Sequence, residues 1–370
     1  MNRTALPRMV RWKVALLGGA GGLAALLALA CLGSGCANVR YLAQSAHGHL
    51  TLMASARPVS DWTQDPSTTE PLRARLELSQ RMRDFAVHEL KLPDNQSYRR
   101  YADLNRSAAV WNVVAAPPLS LKLQTWCFPV VGCVAYRGYY REDDARALAA
   151  ALRQTGLEAS VYPVPAYSTL GKLEWFGGDP LLNTFLQQHE GELAHLIFHE
   201  LSHQVVFVPG DTTFNESFAT AVERLGGQRW LTQHSTALVR EQWARRESMR
   251  ADFRALVLTH RNQLETLYAS GVDDGAKQAG KLQIMQRLRE AHQGIKAARW
   301  NGSTAYDAWF ANANNAMLGI MASYNQWVPA FEAVFDLQGR DFDRFYAEVR
   351  RLADLPSEQR RATLDARMPR

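Results

Sequence analysis

The segment at residues 196–226 constrains this chain more than any other, because it holds two parts of one possible metal site. The first part is an H-E-x-x-H pattern at residues 199–203, in which His199 and His203 are the two histidines. Residues four apart lie one turn apart on the same face of an α-helix, so both imidazoles can share a cation. Imidazole nitrogens at about 2.0–2.1 Å are ordinary zinc ligands. The spacing therefore predicts a helix, from the 180s to Phe207, that carries part of a zinc site.

The remaining groups of such a site are also present in this segment. Glu200 lies beside the histidines, where it can accept a proton from a metal-activated water. The second part, NESFA at residues 215–219, begins a helix that returns after a tight turn, and its Glu216 is the predicted third ligand. Asp211, at the break between the helices, is the alternative third ligand. Glu223 is two turns beyond Glu216 on the same face and is predicted to orient a ligand histidine.

Other interpretations of the motif were weighed. His195 lies one turn before His199 and can face the same cleft, although a packed or surface histidine is the commoner situation. Two histidines packed in the core, together with a Glu200 in a salt bridge, would produce the same H-E-x-x-H pattern without a metal. The metzincin pattern H-E-x-x-H-x-x-G-x-x-H fails, because position 209 is Pro where that pattern needs His. A zinc site with two histidines and one glutamate is the favoured hypothesis.

The first 35 residues have the pattern of an export signal, a basic stretch at 1–13 followed by an uncharged apolar run at 14–32. The run ends in Leu-Gly-Ser-Gly before Cys36, which resembles the lipobox of bacterial lipoproteins. That resemblance implies that Cys36 carries a lipid anchor, with Cys31 as a competing site. An uncleaved membrane anchor is the alternative, because the run is close to spanning length. Both place the rest of the chain in the cell envelope, facing the periplasm, and Ala37 resembles lipoproteins sent to the outer membrane.

The charge of the chain gives little support to a nucleic-acid partner. The formal net charge is +6, but four positive charges precede Cys36, so a chain that begins at Cys36 carries only +2. A nucleic-acid-binding protein usually concentrates far more positive charge on one face. We therefore expect no nucleic acid among the partners of this chain.

Cys127 and Cys133 fit the exported compartment that the N-terminus predicts. They flank a short segment with Pro and Gly between apolar and aromatic residues. In an oxidising periplasm the two cysteines can close a hairpin by a disulfide, with two buried thiols as the alternative. A zinc ribbon is disfavoured, because the Cys-x5-Cys pair has no matching second pair.

The whole pattern predicts an α+β fold. Segments 108–117, 119–126 and 133–140 are rich in β-branched and aromatic residues and predict a small antiparallel sheet, which we expect to pack on the motif helix. The prolines within 160–165 restrict that segment to an edge or irregular strand. The predicted division is a signal at 1–35, a zinc-binding catalytic core at 37–231 and a largely helical region at 232–370. An Arg-rich disordered end is expected after Leu355.

At the motif itself the sequence resembles the gluzincin metallopeptidases, especially the alanyl-aminopeptidase-like branch, whose second element reads Asn-Glu-Gly-Phe-Ala. Here HELSH is followed by NESFATAVERLG. The resemblance implies a zincin-like fold and one Zn²⁺ per chain, with Glu200 as the general base. Its zinc ligands would be His199, His203 and Glu216. Ser217 replaces the usual Gly, and the interval between His203 and Glu216 is shorter than is usual in that branch.

The longer resemblance is to a family of bacterial lipoproteins described as "putative aminopeptidase". The matching pieces are the lipobox-like start, WCFPVVGCVAYRGYY, AYSTLG, HELSHQ, NESFA and NNAMLGIMASYN. It implies a zinc-dependent peptidase, in the first place an aminopeptidase. The Gly-x-Met-Glu-Asn segment that binds the free amine in alanyl-type aminopeptidases is absent from the sequence. The alternative function is a zinc-binding envelope lipoprotein with a structural or partner-binding role and no turnover.

Two further roles were assigned from the chemistry of related enzymes. A hydrogen-bond donor must stabilise the oxyanion that forms when water attacks the peptide carbonyl. A tyrosine often serves in related enzymes, and Tyr324 is the predicted donor, with Tyr306 as the alternative. Residues 162–170 are expected to provide the strand edge along which a peptide substrate lies.

Overall fold

The structure, a computed structural model, describes residues 36–128, 132–166, 168–169, 177–322 and 326–368. The predicted signal segment, Cys31 and Tyr324 lie outside these residues. Among the described residues, those up to Ala54 belong to one unit and those from Ser55 onward form a second compact unit. The predicted boundary between residues 231 and 232 falls inside the second unit.

The described part of the first unit is helix α1, Cys36–Ser55, without its last residue, Ser55, which belongs to the second unit. Cys36, the predicted lipidation site, is its first residue. No helix among the described residues is long and apolar enough to cross a membrane. The apolar run at 14–32, which carries the prediction of a signal or an anchor, is not among them.

The second unit contains eight short strands and thirteen helices among the residues that the structure describes. The strands are β1 Arg57–Pro58, β2 Arg100–Ala102, β3 Val110–Ala116, β4 Trp126–Phe128, β5 Gly132–Val134, β6 Arg137–Tyr139, β7 Glu158–Val164 and β8 Leu181–Leu182. The helices are α2 Val59–Gln64, α3 Glu70–His88, α4 Glu142–Gln154, α5 Asn183–Leu186, α6 Glu190–Ser202, α7 Thr212–His234, α8 Ala237–Ala269, α9 Asp274–Ala298, α10 Asp307–Ala311, α11 Asn315–Ala322, α12 Val328–Leu337, α13 Phe342–Ala353 and α14 Ser357–Asp365. The α+β class and the helical C-terminal half are as the sequence predicts.

The main sheet is antiparallel with the order β6-β3-β7. Strand β3 does not alternate between buried and exposed residues, because α4 and α11 both pack against it. Strand β7 lies at the edge of the sheet, as its prolines predicted. The first small sheet has the order β1-β2-β8 and contains one parallel pair, β2 with β8.

One predicted strand is mostly irregular. Of segment 119–126 only Trp126 belongs to a strand, in the β4–β5 hairpin. Upstream of it, Leu121 and Leu123 lie against α11 so closely that a Cβ on Gly319 would be 2.7 Å from the Leu121 carbonyl oxygen. Their apolar side chains are therefore used for packing on a helix rather than for a strand ladder.

The helix that carries H-E-x-x-H is shorter than the pattern predicted. Helix α6 begins after His189, whose Nδ1 accepts from the Gly191 N–H at 3.1 Å, and it ends at Ser202 with His203 as its C-cap. The residues before it form β8 and α5. Helix α7 begins after Asp211, whose carboxylate accepts from the Phe214 N–H at 3.1 Å. The two ligand-bearing helices are thus joined by a short loop that ends in a side-chain cap.

Helix α7 lies at the centre of the second unit and packs against α3, α6, α8 and α12. It is buried on several faces, which is why it lacks the single apolar stripe of a surface helix. Phe218, fully buried, contacts Phe331 of α12 and Phe345 of α13 with ring centroids 5.8 and 5.9 Å apart. Glu216 and Glu223 are consequently carried by a helix that packing holds from several directions.

The C-terminus differs from its prediction. Among the described residues after Leu355, where a disordered end was expected, Ser357–Asp365 form the helix α14. Arg360 of this helix is only 5% exposed and binds the Asp211 carboxylate with its Nε at 3.1 Å and its Nη2 at 2.8 Å. An Arg-rich composition suggested a solvated tail, whereas one arginine is a buried partner of the loop between α6 and α7.

Candidate metal centre

Helix α6 places the two motif histidines next to each other at its C-terminal end. His199 lies in the last turn, and His203 keeps a helical backbone (φ −61°, ψ −21°) although it is the C-cap. Their ring centroids are 4.9 Å apart, with ring planes at 84°. The local geometry is therefore the one that the spacing predicted, two imidazoles on one face of one helix.

Glu216 of α7 faces both histidines. Its Oε2 lies 3.3 Å from Nε2 of His199, and its Oε1 lies 3.9 Å from Nε2 of His203. One ligand atom from each of the three residues falls within 4.8 Å of the other two. The structure thus brings together the three side chains that the sequence predicted as one ligand set.

The donor atoms fit a cation. The Nδ1 atom of His199 donates to Oε2 of Glu223 at 2.7 Å, which leaves the lone pair of a neutral imidazole on Nε2. That lone pair faces the Glu216 carboxylate, and two electron-rich groups repel each other unless a proton or a metal ion lies between them. Two imidazoles and one carboxylate form a donor set typical of catalytic zinc.

The ionisation of the three side chains follows from this proximity. Burial lowers the pKa of His203 to about 4, so His203 is neutral and keeps a lone pair at pH 7. Burial opposes the charge of Glu216 too, but the hydrogen bond and charge of His199 outweigh it and lower the Glu216 pKa. For His199 the same balance raises the pKa well above its usual value, since Glu216 and Glu223 stabilise its positive form. A positive charge is therefore favoured at this point, whether a proton or a metal carries it.

Glu223 is positioned as the sequence predicted, behind a ligand histidine. Besides its bond to His199, its Oε1 lies 3.7 Å from Nδ1 of His195. Burial alone would raise the pKa of Glu223, but the hydrogen bond with His199 and the charges of both histidines lower it. A carboxylate behind a ligand histidine fixes the ring orientation and increases its basicity.

His195 is a packed histidine rather than a further member of the cluster. It is 7% exposed, and its ring centroid lies 4.5 Å from that of Trp243. Gly227 of α7 makes room for it, because a Cβ at that position would come within 2.2 Å of the His195 ring. The interpretation of His195 as a packed residue agrees with this environment.

Glu200 follows His199 on α6 and remains partly accessible to solvent. Burial is the main cause that raises its pKa to about 7, and the positive charge of His199 opposes the rise. The nearby Ser168 side chain opposes the rise in this pKa as well. A carboxylate whose pKa lies near neutrality is well suited to accept and return a proton.

Asp211, the alternative third ligand, is occupied elsewhere. Its carboxylate accepts from the Phe214 N–H and from the buried Arg360, and it does not belong to the ligand cluster. No local pattern indicates this pairing, because Arg360 lies 149 residues away from Asp211 along the chain.

The disulfide prediction is confirmed. Cys127 and Cys133 are bonded and pair directly across the β4–β5 hairpin. A Cβ on Gly132, within this hairpin, would lie 3.8 Å from the backbone nitrogen of Gly210. The disulfide-closed hairpin therefore lies close to the loop that joins the two ligand-bearing helices.

Three tyrosines are candidates for the donor to the oxyanion. Tyr324 is outside the described residues. Tyr306 stacks on Phe253 with ring centroids 4.4 Å apart, and its hydroxyl lies near Arg250. The phenolic oxygen of Tyr162, on β7, accepts from Nδ2 of Asn112 at 3.3 Å, and no pattern in the sequence indicated Tyr162 as a donor. Burial raises the pKa of Tyr162 to about 12, and the nearby charge of Glu216 adds to the rise, so its phenol is neutral.

Comparisons with known proteins give one result. Residues 40–364 match the protein family described as "Putative aminopeptidase". No curated protein and no solved structure matches the chain. The matched range contains His199, Glu200, His203 and Glu216, and the name of the family points to a peptide substrate. Because the match covers most of the sequence, the chain belongs to the "Putative aminopeptidase" family.

Proposed function

We propose that this chain is a zinc-dependent peptidase that hydrolyses peptide bonds with Glu200 as its general base. The observation that supports this most directly is the convergence of His199, His203 and Glu216, with ligand atoms within 4.8 Å of one another, beside Glu200. A buried structural zinc site has no need of a proton acceptor next to its ligands. Membership of the family supports the hydrolase and aminopeptidase parts of the proposal.

The roles of the side chains follow from their chemistry. A bound zinc ion supplies Lewis acidity toward the peptide carbonyl and lowers the pKa of water. Glu200 accepts the proton of the attacking water and passes it to the leaving nitrogen. His199, His203 and Glu216 would hold the metal from two helices, and Glu223 keeps the His199 ring in its tautomer.

A donor to the oxyanion completes the proposed mechanism. Tyr324 remains our choice from the chemistry of related enzymes. Tyr162 is added because its neutral phenol lies near Glu216 on the edge strand β7. Replacing the tyrosine that donates to the oxyanion with phenylalanine should lower kcat by about 10²–10³-fold, the usual effect of losing one oxyanion donor. Comparing Tyr162→Phe with Tyr324→Phe distinguishes the two assignments.

The proposed location is the bacterial cell envelope, with a lipid on Cys36 holding the chain at the outer membrane, facing the periplasm. The basic and apolar segments before Cys36 and the small residues that precede this cysteine support the proposed location. The disulfide between Cys127 and Cys133 is in keeping with an oxidising compartment. Metabolic labelling with a radioactive fatty acid, compared between the natural chain and Cys36→Ala, tests the anchor.

The function is tested with purified protein of known zinc content. Peptides with free and with blocked N-termini are supplied in parallel, so exopeptidase and endopeptidase activity are separated. We expect Glu200→Gln to keep one zinc per chain and lose activity, and Glu216→Gln to lose both. Protein with a full zinc complement that cleaves neither class of peptide would contradict the proposal and favour a zinc-binding lipoprotein without turnover.

A further inference from the structure

His203, the second proposed histidine ligand, lies at the point where its helix ends. It is the C-cap of α6, so no further α-helical turn follows it. The backbone N–H groups of Gln204 and Val205 donate to the carbonyl oxygens of Leu201 and Ser202, at 3.1 and 2.9 Å, which forms one tighter turn. Helix ends fray more readily than helix interiors. The position of His203 therefore depends on contacts that lie outside its own helix.

The rings of the two histidines differ in their partners. Nδ1 of His199 donates to Glu223 at 2.7 Å, which fixes the orientation of that ring. Nδ1 of His203 is buried and has no hydrogen-bond partner among the residues that the structure describes. Within the described chain, His203 thus lacks a carboxylate of the kind that orients His199. The contacts of the residue next to His203 become correspondingly important.

Gln204, directly after His203, is held at both ends of its side-chain amide. Its Oε1 accepts from Nδ2 of Asn95 at 2.6 Å, and its Nε2 donates to Oγ of Ser97 at 3.1 Å. The two partners lie 109 and 107 residues earlier in the chain. An amide bonded through both its oxygen and its nitrogen has one orientation, so Gln204 anchors the backbone beside His203 to a distant segment.

The orientation of the two amides follows from groups that can only donate. Oδ1 of Asn95 accepts from the Ser97 N–H at 3.1 Å and from Nη2 of Arg83 at 3.1 Å. Nδ2 of Asn95 is therefore free to donate to Gln204, whose Oε1 faces it and whose Nε2 is left for Ser97. Turning either amide over would place two donors against each other. The hydrogen bonds of Gln204 are thus consistent with all of their neighbours.

The segment that holds Gln204, residues 93–98, is itself fixed by Arg83 of α3. The Arg83 side chain is fully buried, at 0% exposure. Its Nε donates to the carbonyl oxygen of Ser97 at 2.9 Å, and its Nη2 lies 2.6 Å from the carbonyl oxygen of Pro93 and 3.3 Å from that of Asn95. Hydrogen bonds from a charged donor are stronger than neutral ones. One buried guanidinium therefore ties the 93–98 segment to helix α3 through three carbonyl groups.

Residues 178 and 179 hold the 93–98 segment from another direction. The Asp179 N–H donates to Oγ of Ser97 at 3.1 Å, and the Tyr98 N–H donates to the carbonyl oxygen of Asp179 at 2.6 Å. Gly178 permits this approach, since a Cβ there would lie 2.4 Å from the Ser97 nitrogen. Tyr98 has a left-handed φ of +63°, a conformation that persists only where surrounding contacts fix it. The 93–98 segment is therefore a rigid support for Gln204.

We propose that Gln204 is a positioning residue, which holds His203 at the metal centre through its two bonds to the 93–98 segment. The inference rests on the proposed function, because it takes His203 as a zinc ligand. The two histidines are then supported by different means, His199 through its ring and His203 through the backbone of the next residue. A metal ligand has to be held within about 0.5 Å of its productive position, so loosening this support should weaken metal binding.

The first test measures the zinc affinity of the full chain by competition with a chelator. Gln204→Met keeps the length of the side chain and loses both hydrogen bonds, so the affinity should fall by about 10- to 100-fold. Ser97→Ala removes one of the two bonds and should cause a smaller loss. Ser79→Ala is the matched control and should leave the affinity unchanged, because the buried Ser79 hydroxyl donates to Leu76 within α3 at 2.6 Å.

A double-mutant comparison shows whether Ser97 acts through Gln204. Adding Ser97→Ala to Gln204→Met should cause little further loss of zinc affinity, because the bond between these side chains is already broken. Fully additive losses, or an unchanged affinity in Gln204→Met, would overturn the proposal.

A spectroscopic readout separates positioning from a general loss of stability. Cobalt(II) replaces zinc in the purified protein, and its visible absorption depends on the coordination geometry. Gln204→Met should change this spectrum, whereas Ser79→Ala should not. A lower Tm of metal-free Gln204→Met with an unchanged cobalt spectrum would indicate an ordinary structural role and overturn the proposal. If Gln204→Met does not fold, Ser97→Ala is measured in the same way.

Peptide cleavage is measured separately, so that this inference and the proposed function can fail independently. If the natural chain binds one zinc and cleaves no peptide, the proposed function fails, while a reduced zinc affinity in Gln204→Met still supports the role of Gln204. If the natural chain cleaves peptides and Gln204→Met binds zinc with full affinity, only the role of Gln204 is overturned. A natural chain that binds neither zinc nor cobalt would overturn both.

Discussion

Nδ1 of His199 lies 2.7 Å from Oε2 of Glu223, and that carboxylate is carried by the same helix as Glu216. Helix α7 therefore supplies both a proposed ligand and the group that orients another. Because such outer partners fix the ring and strengthen its basicity, Glu223→Gln should weaken zinc binding by about 10- to 100-fold. Competition with a chelator of known affinity measures this.

The control for that substitution is Glu332→Gln. Glu332 is a partly exposed carboxylate that pairs with Arg224, the neighbour of Glu223, at 3.5 Å. Its loss should leave zinc affinity unchanged. Equal effects of the two substitutions would show that general charge, rather than the bond to His199, determines the affinity.

The buried pair of Arg360 and Asp211 should contribute strongly to stability. Their side chains are only 6% and 7% exposed, so removing one partner leaves the other charge buried and uncompensated. Arg360→Met should lower the free energy of unfolding by about 3–5 kcal/mol, as measured by urea denaturation. Arg361→Met, at an exposed position of the same helix, should change it by less than about 0.5 kcal/mol.

Substitution of Asp211 and of Glu216 tests which of these two acidic residues is the third zinc ligand. Asp211→Asn should destabilise the fold and still bind one zinc per chain under conditions where the protein is folded. Glu216→Gln should lose the metal instead, because it removes one of the three clustered donors. Loss of zinc in Asp211→Asn without unfolding would reverse the assignment. Zinc content after gel filtration is the measurement.

Two helix glycines offer a paired test of packing. Gly227→Ala should destabilise the protein by about 1–3 kcal/mol, since its Cβ would come within 2.2 Å of the His195 ring. Gly294→Ala should stabilise it by about 0.5–1 kcal/mol, since a Cβ there meets nothing within 4 Å and alanine favours a helix. Denaturant unfolding of both variants checks the pair, and equal effects would contradict the close approach of α6 and α7.

The raised pKa of Glu200 predicts that the stability of the metal-free protein depends on pH. Its pKa is raised from 4.5 to about 7 in the folded state, mainly by burial. The folded chain therefore retains a proton between these values that the unfolded chain loses, and stability falls as pH rises from 4.5 to 7. Glu200→Gln removes this loss, so it should raise Tm near pH 8 and have little effect near pH 4.

The control for the pH series is Glu77→Gln, at an exposed position of α3. The difference in Tm between this variant and the natural chain should stay constant across the pH range. A gain in Glu200→Gln that is equally large near pH 4 would contradict the assignment to burial of the charge.

The secondary structure that the sequence predicted well is the part governed by local rules. The spacing of the two histidines needs only the geometry of a helix, and the prolines at 163 and 165 exclude a central strand. Segment 119–126 was mispredicted because its apolar residues meet helix α11, a contact that local pattern cannot show. The last helix was missed for a related reason, since its Arg-rich composition conceals that Arg360 is buried.

By itself the sequence determined the pair His199 and His203, the adjacent Glu200 and the disulfide partners Cys127 and Cys133, because each set lies within a few residues of chain. The tertiary structure alone decided which acidic residue faces the histidines. In the folded chain Asp211 pairs with Arg360, whereas Glu216 faces both imidazoles. These choices depend on how helices and loops pack, and packing joins residues whose positions no local periodicity relates.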